Sequence, residues 1–533
     1  MQRIDTSIVL ATLNAKYIHA SLGLRYLLAN MDVHGGAGLR ARTQLREFVI
    51  QQRPTQIVEE LLALQPQVIG LGIYIWNVVE TTQVVRLLKT LRPDIRIVLG
   101  GPEVSFETDS QEICRLADHV VTGWGDVSFP KLCRALLDGP KPLMKVIAGE
   151  QPALETLALP YNEYTAEDLT KRLLYVEASR GCPFKCEFCL SSLDKTAWAF
   201  ELDLFMAEMD ALYRRGARNF KFVDRTFNLK VDFSVRILQF FLDRIQTTPD
   251  IFVHFEVVPD SLPDRLKVLI AQFPAGSLQF EVGIQSFNPE VQQRISRKQD
   301  NHKTADNLRW LVNESQAHVH ADLIFGLPGE TLESFAQGFD RLYELAPHEI
   351  QFGILKRLRG TPITRHTADF AMAYDPQTPY TILQNSTIDF ATMQRINRFA
   401  RYWEMVANSG RFALGLKLLL EPGSAFNHFL AFSDWLWQTT AKTHEFALEK
   451  LVDLLHEHLT AVRGLASQDV RSALLADYVA SGARARPKCL AELLDASRTA
   501  LPMASAKHRA ERQGRHVNQQ AHREEIQKAA AAA

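Results

Sequence analysis

The sequence predicts an α/β protein with three parts: an N-terminal doubly wound parallel sheet, a central partial barrel of six βα repeats and a C-terminal α-helical domain. Three observations lead to this prediction. Short apolar runs alternate with helical stretches over residues 1–145, six further strand-like runs recur over residues 168–370, and helical periodicity dominates after Tyr380. Regular alternation of strands and helices is typical of parallel sheets, whose faces are covered by crossover helices.

The N-terminal segment, residues 1–145, contains a predicted helix at Leu22–Ala29 and four apolar strands. The predicted strands are Ile8–Thr12, Gln67–Ile75, Ile95–Gly101 and His119–Gly123. Doubly wound sheets bind ligands beyond the carboxyl ends of their strands. The segments at these ends contain glycine or small polar residues, which let a backbone approach a flat ligand closely. These segments are Asn14–Gly23, Gly72–Asn77, Gly100–Ser105 and Gly123–Asp126.

The central part begins after residues 146–167, which contain Pro152 and Pro160 and are predicted to be a linker. Residues 168–370 then repeat a strand and a helical stretch six times, which favours a partial (β/α)6 barrel with its chemistry at the C-terminal strand ends. The predicted strands are Leu173–Val176, Asn219–Val223, Ile251–Phe255, Leu278–Gly283, His318–Phe325 and Glu349–Phe352.

The C-terminal part, residues 371–500, is predicted to be a helical domain. Its helical stretches are Ala391–Ala407, Phe426–Lys442, His444–Thr460 and Arg471–Ala480. Five aromatic residues are interpreted as core: Tyr402, Trp403, Phe412, Trp435 and Trp437. Residues 501–533 are polar and basic, which is typical of a disordered tail.

Composition indicates an ordinary folded chain, and its charge does not imply any partner. Of the 533 residues 46% are apolar, and the net charge of −1 provides no field for nucleic acid or an anionic membrane. The longest apolar run, Val68–Trp76, is far shorter than the roughly 20 residues that span a bilayer. The polar N-terminus has no secretion signal, so we expect a cytoplasmic protein without a membrane span.

The strongest chemical signal is the C-x3-C-x2-C spacing of Cys182, Cys186 and Cys189. Three thiolates on one short loop indicate a metal or cluster site. Structural zinc sites usually have four protein ligands, as do electron-carrier clusters, and a fourth nearby ligand is missing here. A cubane cluster held by three cysteines leaves one iron open to a small molecule; zinc remains the alternative. Scattered Cys114, Cys133 and Cys489 are interpreted as packing residues.

The loop Arg180–Cys189 resembles the signature loop of the radical S-adenosylmethionine (SAM) superfamily, and Phe188 supplies the aromatic residue usual before the last cysteine. The resemblance implies a [4Fe–4S] cluster on the three cysteines, with the amino and carboxylate groups of SAM on its open iron. Reductive cleavage of SAM would yield a 5′-deoxyadenosyl radical. The resemblance also implies an electron donor such as flavodoxin or ferredoxin.

Other strand ends resemble the SAM-binding segments of that superfamily. By this resemblance, Asp224–Asn228 handles the SAM amino group, Glu281–Ser286 and Arg297 contact ribose and carboxylate, and Gly326–Glu330 packs on adenine. Carboxylates and amide oxygens suit ammonium and hydroxyl groups, and an arginine can fork onto a carboxylate. The predicted SAM-binding residues are Phe188, Asp224, Asn228, Glu281, Gln285, Arg297, Gly326 and Gly329.

The N-terminal segment resembles the cobalamin-binding domain that precedes the radical SAM domain in one large subclass. The pieces that match are Ser21–Leu27, Gly70–Tyr74, Val98–Glu103 and Thr122–Asp126. The predicted cobalamin-binding residues are His19, Ser21, Leu22, Gly23, Gly72, Tyr74, Gly100, Gly101, Glu103, Gly123 and Gly125.

One departure from that pattern concerns His19. Proteins that ligate cobalt from below use D-x-H-x-x-G, whereas His19 stands one residue too far from Gly23. His19 is therefore either a cobalt ligand or a loop histidine that lies near the corrin or in the wall of its site. Many cobalamin-dependent radical SAM proteins have no histidine below cobalt, so cobalamin remains the expected cofactor. A plain nucleotide-binding domain is the alternative, although an intact G-x-G-x-x-G is missing.

The helical part resembles an uncharacterised C-terminal domain found in a subgroup of cobalamin-type radical SAM proteins. The N-terminal stretch Leu13–His19 is similar to the start of the proteins in that subgroup. Together the resemblances imply a class B-like methyltransferase that moves a methyl group from methylcobalamin to an unactivated carbon of a small-molecule or biosynthetic-intermediate substrate. A cyclase or rearrangement enzyme with the same cofactors is one alternative, and a non-catalytic zinc-binding protein is another. Lys356, Arg357 and Arg359 either meet an anionic substrate group or are solvated charges.

Overall fold

The computed structural model describes residues 6–194 and 196–496. The chain divides into two compact units. The first unit comprises the residues up to Glu256 together with Lys356–Arg365 and Tyr374–Thr381. The second comprises Val257–Leu355, His366–Ala373 and the residues from Ile382 onward.

The first unit opens with a six-stranded parallel sheet in the order β2-β1-β3-β4-β5-β6. Its strands are β1 (Ile8–Asn14), β2 (Thr43–Val49), β3 (Val68–Gly72), β4 (Arg96–Gly100), β5 (His119–Thr122) and β6 (Val146–Ala148). The connecting helices are α1 (Leu22–Ala29), α2 (Met31–Gly35), α3 (Pro54–Ala63), α4 (Val78–Leu91), α5 (Glu112–Leu116) and α6 (Ser128–Asp138).

Apolar helix faces cover both sides of this sheet. Strand β1 is buried at every position, which explains why it is a continuous apolar run rather than an alternating one. One core joins the sheet to α3, α4 and α5 through residues such as Ile57, Val84 and Ile113. A separate core joins it to α1, α2 and α6 through residues such as Leu24 and Phe129. The doubly wound prediction is therefore confirmed.

Two edge strands were not found from the sequence. Strand β2 pairs with β1 from Ile8 opposite Thr43, and most of its residues are only half-buried. Its apolar content is correspondingly low, because an edge strand buries less surface. Strand β6 pairs with β5 from Val120 opposite Val146, within the segment predicted as a linker. That segment also contains short 3₁₀ turns at Leu154–Thr156 and Tyr161–Glu163; its limits stay a prediction.

The rest of the first unit carries the cysteine loop. Strands β7 (Leu174–Val176), β10 (Asn219–Phe222) and β11 (Phe252–Val257) pair in parallel. A short antiparallel pair, β8 (Ser179–Gly181) and β9 (Ala197–Ala199), brackets the cysteines. The helices are α7 (Ala166–Lys171), α8 (Leu202–Arg214) and α9 (Val231–Ile245).

The second unit begins with three more parallel strands, β12 (Leu278–Gln285), β13 (His318–Phe325) and β14 (Glu349–Ile354). The helices α10 (Asp264–Ile270), α11 (Pro289–Arg294), α12 (Asn301–Glu314) and α13 (Leu332–Glu344) accompany them. All six strands predicted for the partial barrel are thus present, three in each unit. Two short strands follow, β15 (Ala373–Tyr374) and β16 (Ile382–Gln384).

The predicted helical C-terminal region is present in the second unit. Its helices are α14 (Phe390–Val406), α15 (Ala413–Leu420), α16 (Ala425–Thr440), α17 (Leu448–Glu457), α18 (Ser467–Ala480) and α19 (Ala491–Ala496). Of the five predicted core aromatics, Tyr402, Trp403 and Phe412 are buried and Trp435 is half-buried. The prediction is wrong for Trp437, which is 36% exposed, with Arg398 over its ring. The predicted disordered tail, residues 501–533, lies outside the described residues. Within residues 6–194 and 196–496, no helix is both long and apolar enough to cross a membrane.

A buried ion network anchors α1 in the first unit. The guanidinium of Arg25, 1% exposed, lies 2.8 Å from carboxylate oxygens of both Glu47 on β2 and Asp168 on α7. Arg172 adds a second contact to Glu47 at 2.7 Å. The backbone N–H of Ser21, which caps α1, also donates to Glu47. The network therefore connects α1 to the edge strand β2 and to α7. Moving α1 away would separate buried charges from their partners, which is energetically costly.

We expect Arg25→Met to lower the free energy of unfolding by roughly 3 kcal/mol, the lower end for a broken buried ion pair, because Glu47 and Asp168 then keep only Arg172 as a cation. Urea-induced unfolding measures this loss. The control is Arg86→Met, which breaks an exposed pair with Glu112 and should cost less than about 1 kcal/mol. Equal losses in the two variants would contradict the structural importance of the buried network.

Candidate functional site

A cavity of about 390 Å³ lies within the first unit, beyond the carboxyl ends of β3, β4 and β5. One part of its wall is formed by these strand ends and the loop Gly123–Asp126. Another part comes from the neighbourhood of the cysteine loop and includes Glu177, the strand β8 and Asp194. The cavity therefore adjoins both segments that carry the predicted cofactor chemistry.

Most of the predicted cobalamin-binding residues belong to the wall of this cavity. They are Leu22, Gly23, Gly72, Tyr74, Gly100, Gly101, Gly123 and Gly125. Gly123 has a positive φ of 69° and open space where a Cβ would project. Gly101, at φ 109°, would bring a Cβ to 2.5 Å from the carbonyl oxygen of Ile73. Glycine at these positions of the wall exposes the backbone, and this suits a broad, flat ligand such as a corrin ring.

The other three predicted cobalamin-binding residues do not line the cavity. The Nδ1 atom of His19 lies 2.7 Å from the hydroxyl of Tyr175, and burial lowers the pKa of the His19 imidazole. Ser21 caps α1 by accepting a hydrogen bond from the N–H of Leu24. The buried carboxylate of Glu103 accepts hydrogen bonds from Arg359 and from Tyr380.

The loop between β8 and β9 holds the three cysteines. Cys186 is buried, Cys182 and Cys189 are half-buried, and none is in a disulfide. Burial, reinforced by the neighbouring Cys189 and Cys186, raises the pKa of the Cys182 thiol to about 11. Bound iron would offset this effect, because metal binding displaces thiol protons. The donor set of three thiolates fits a cubane cluster with one open iron.

Within the described ranges 6–194 and 196–496, no group of three or more His, Cys, Asp or Glu side chains surrounds a position for a single metal ion. A cubane does not require such a position, since each cysteine binds a different iron atom.

Three predicted SAM-binding residues lie in the first unit near the cysteine loop. Asp224 accepts hydrogen bonds from the N–H of Ala178 at 3.0 Å and the hydroxyl of Ser179 at 2.6 Å. Burial raises the pKa of Asp224 to about 7. Asn228 is buried and Phe188 is half-buried. Asp224 therefore holds the strand that leads into the cysteine loop, a role that the sequence did not predict.

Asp224 also borders a smaller cavity of about 210 Å³, which is lined in addition by Ser179, Pro183 and Lys230. This cavity lies beside the cysteine loop and the start of α9.

The remaining predicted SAM-binding residues lie in the second unit. Glu281 is on β12, and Gln285 ends that strand with a positive φ of 70° at a register shift. Arg297 donates hydrogen bonds to the backbone carbonyl of Gly283 and to Gln299. Gly326 and Gly329, the other two, both have positive φ in the turn after β13.

The turn that contains these glycines ends at Glu330. The buried Glu330 carboxylate accepts a hydrogen bond from Ser286, and burial raises its pKa to about 7. The Ser286–Glu330 contact ties the ends of β12 and β13 together.

Sequence reasoning did not find the ion-pair partners of two groups of charged residues in the first unit. Arg180 pairs with Asp126 and Glu177 in the wall of the larger cavity. Its position two residues before Cys182 was visible in the sequence, but its partners are 3 and 54 residues away. A spacing pattern within one segment cannot reveal Asp126, the partner 54 residues away.

The second group corrects the interpretation of the basic residues after β14. Arg359 lies 2.9 Å from Glu103 and 2.7 Å from Glu107, and Arg357 lies 2.8 Å from Glu107. The charges of Arg357 and Arg359 are therefore balanced by carboxylates of the protein, and neither an anionic substrate group nor solvent is needed for this. Lys356 is exposed, as expected for a solvated charge.

Comparison with protein families agrees with this architecture. Residues 8–133 match the B12 binding domain, residues 176–342 match the radical SAM superfamily, and residues 368–532 match a protein family of unknown function, DUF4080. An uncharacterized methyltransferase of Pyrococcus horikoshii is 26% identical over 336 residues, 58% of this chain and 70% of the relative. The cobalamin-dependent radical SAM methyltransferase TokK of Streptomyces tokunonensis is 25% identical over 344 residues. That match covers 58% of this chain but only half of TokK.

Two solved structures share the fold. OxsB, a cobalamin-dependent SAM radical enzyme solved with aqua-cobalamin and SAM, has a TM-score of 0.63 at 13% identity, covering 96% of this chain and 83% of OxsB. The SAM radical methyltransferase TsrM from Kitasatospora setae, solved with cobalamin and a [4Fe–4S] cluster, has a TM-score of 0.56 at 15% identity. That match covers 82% of this chain and all of TsrM.

Fold, cysteine loop and family matches together define a cobalamin-dependent radical SAM enzyme. More particularly, the chain combines a B12-binding domain, a radical SAM domain and a DUF4080 domain, in this order. The radical SAM domain implies a [4Fe–4S] cluster and SAM, and the B12-binding domain implies cobalamin.

We expect Gly101→Ala to weaken cobalamin binding while leaving the iron content unchanged. The added Cβ would press on Ile73 and move the strand ends that line the cavity. The backbone of Gly101, at φ 109° and ψ 169°, is also a conformation that costs alanine about 1–3 kcal/mol. Hydroxocobalamin titration followed by absorption measures the affinity. Gly38→Ala is the matched control, because Gly38 also has a positive φ but meets nothing within 4 Å and does not line the cavity. Equal affinities in the two variants would argue against this cavity as the corrin site.

Proposed function

We propose that the protein is a methyltransferase that moves a methyl group from methylcobalamin to an unactivated carbon of a small-molecule or biosynthetic-intermediate substrate. The observation that carries the proposal is the shared wall of the larger cavity, to which both the B12-binding domain and the strand before Cys182 contribute. Relatives and structural neighbours named as methyltransferases support the same reaction class.

The chain's own residues have distinct parts in this proposal. Cys182, Cys186 and Cys189 would hold the cluster through their thiolates. When bound, cobalamin supplies the methyl group, and SAM on the reduced cluster supplies the radical that removes a hydrogen atom from the substrate carbon. The glycines at the ends of β3, β4 and β5 would admit the corrin, and Leu22, Tyr26 and Trp124 would shield it from water.

Positioning of the cysteine loop would depend on Asp224. Its two accepted hydrogen bonds fix the backbone at Ala178 and the side chain of Ser179, just before β8 enters the loop. The predicted SAM contacts, Phe188, Asn228, Glu281, Gln285, Arg297, Gly326 and Gly329, belong to this proposal, as does Asp224 itself. An electron donor such as flavodoxin or ferredoxin would reduce the cluster.

We expect Cys182→Ala, Cys186→Ala and Cys189→Ala each to abolish both the cluster absorbance and the release of 5′-deoxyadenosine from SAM, because each removes one of three thiolates. The assay uses anaerobically reconstituted protein with dithionite. Cys489→Ala is the control, since this half-buried thiol lies in the other unit and should leave both signals intact. A loop variant that still cleaves SAM would refute the cluster assignment.

Methyl transfer itself is tested by isotope. The protein, loaded with cluster and cobalamin, is incubated anaerobically with dithionite as the electron donor, with SAM labelled in its methyl group and with a fractionated metabolite extract. We expect the label in a product heavier by one CH2 than its precursor. A product formed with consumption of SAM but without label, such as an isomer or a dehydrogenated compound, would instead establish a cyclase or rearrangement enzyme.

A further inference from the structure

Arg180 joins the loop that lines the larger cavity to the strand that enters the cysteine loop. Its Nη1 lies 2.9 Å from one carboxylate oxygen of Asp126, and its Nη2 lies 3.3 Å from the other. Its Nε donates to Glu177 at 2.7 Å. Asp126 follows the glycine loop after β5, whereas Arg180 lies on β8, two residues before Cys182. One guanidinium thus bridges the two segments.

The surroundings of this guanidinium allow it little freedom. Its central carbon lies 4.3 Å from the ring centre of Tyr26, 5.1 Å from that of Trp124 and 5.6 Å from that of Phe200. Its side chain is 15% exposed, and those of Asp126 and Glu177 are 9% and 10% exposed. A bidentate ion pair that is largely buried among aromatic rings is rigid and has a specific geometry.

Gly181, the residue after Arg180, connects this rigid side chain to the backbone of the cysteine loop. Gly181 has a positive φ of 85°, and a Cβ there would collide with the backbone carbonyl of Thr196 and approach the ring of Trp198 to 3.1 Å. The two strands pair directly, with Arg180 opposite Trp198. Trp198 also lies edge-on to Trp124, with ring centres 5.7 Å apart. A movement of Arg180 therefore reaches both ends of the cysteine loop.

We propose that Arg180 is a positioning residue through which cobalamin bound in the larger cavity changes the affinity of the cysteine loop and its cluster for SAM. Tyr26, Trp124, Asp126 and Arg180 all line the cavity, so a bound corrin would restrict the same side chains that set the direction of β8. Binding of cobalamin would then preorganise the loop for SAM, and by reciprocity SAM would strengthen cobalamin binding. This inference rests on the proposed cofactor sites and not on methyl transfer.

The coupling is measured as a ratio of affinities. Equilibrium dialysis gives the Kd of SAM for the cluster-loaded protein with the cluster left oxidised, so that SAM is not cleaved, first without and then with saturating hydroxocobalamin. In the wild-type protein we expect cobalamin to tighten SAM binding at least about 5-fold, within the usual range for coupled sites. A variant with a purely structural defect would bind SAM more weakly both without and with hydroxocobalamin, and the ratio of these two Kd values would stay at the wild-type value.

Two variants interrupt the bridge in different ways. Asp126→Asn keeps the shape of the side chain but removes the charge that receives the fork, while the pair between Arg180 and Glu177 beside the cysteines remains. Arg180→Lys keeps a positive charge but loses the planar, bidentate geometry. We expect the ratio to fall to about 1 in Asp126→Asn and to lie between 1 and the wild-type value in Arg180→Lys. Arg86→Lys, which alters an exposed pair with Glu112, should keep the wild-type ratio.

The outcomes separate this inference from the proposed function. A wild-type ratio of 1, or a wild-type ratio retained by Asp126→Asn, would overturn the coupling while leaving both cofactor sites in place. Failure of the wild-type protein to bind cobalamin would overturn the cofactor assignment and the coupling together. If Arg180→Lys loses iron, Asp126→Asn still tests the coupling, because Asp126 lies in the loop Gly123–Asp126 and not beside Cys182.

Discussion

The chemistry proposed for this protein depends on how strand β8 is held. Three residues approach it from different elements: Asp224 after β10 accepts hydrogen bonds from Ala178 and Ser179, while Asp126 after β5 and Glu177 after β7 pair with Arg180. These contacts are buried and charge-assisted, so they fix both the direction of strand β8 and its distance from the neighbouring elements. A cysteine loop without such support would sample many arrangements and would pay for ordering when the cluster binds.

The same contacts explain why the two cofactor segments share one compact unit. The carboxyl ends of β3, β4 and β5 meet at one edge of a parallel sheet, and glycine there leaves room for a flat ligand. The hairpin of β8 and β9 adds Arg180 and Gly181 to the wall of that cavity. A site for methyl transfer and a site for radical generation require close placement, since a short-lived carbon radical reacts with whatever lies nearest.

Much of the fold was predictable because its signals are local. Apolar runs identified four of the six strands of the first sheet, and repeated strand–helix alternation identified the six barrel strands. The edge strand β2 was missed because it buries too little surface to need an apolar run. Glycine and cysteine motifs pointed to the cavity wall and to the cluster loop. The positions of His19 and Glu103 outside that wall, and the bridge from Arg180 to Asp126, depend on side-chain partners distant in sequence. No pattern within one segment encodes them.

The most direct test of the account is the metal content of the protein after anaerobic purification, cluster reconstitution, incubation with hydroxocobalamin and gel filtration. Iron, cobalt and the absorption spectrum are recorded on the same sample. We expect about four irons and near-stoichiometric cobalt for each chain, because the cysteine loop and the glycine-lined cavity belong to one unit. Iron without cobalt would leave the radical SAM assignment standing but would contradict the cavity as a corrin site, and with it the proposed methyl transfer.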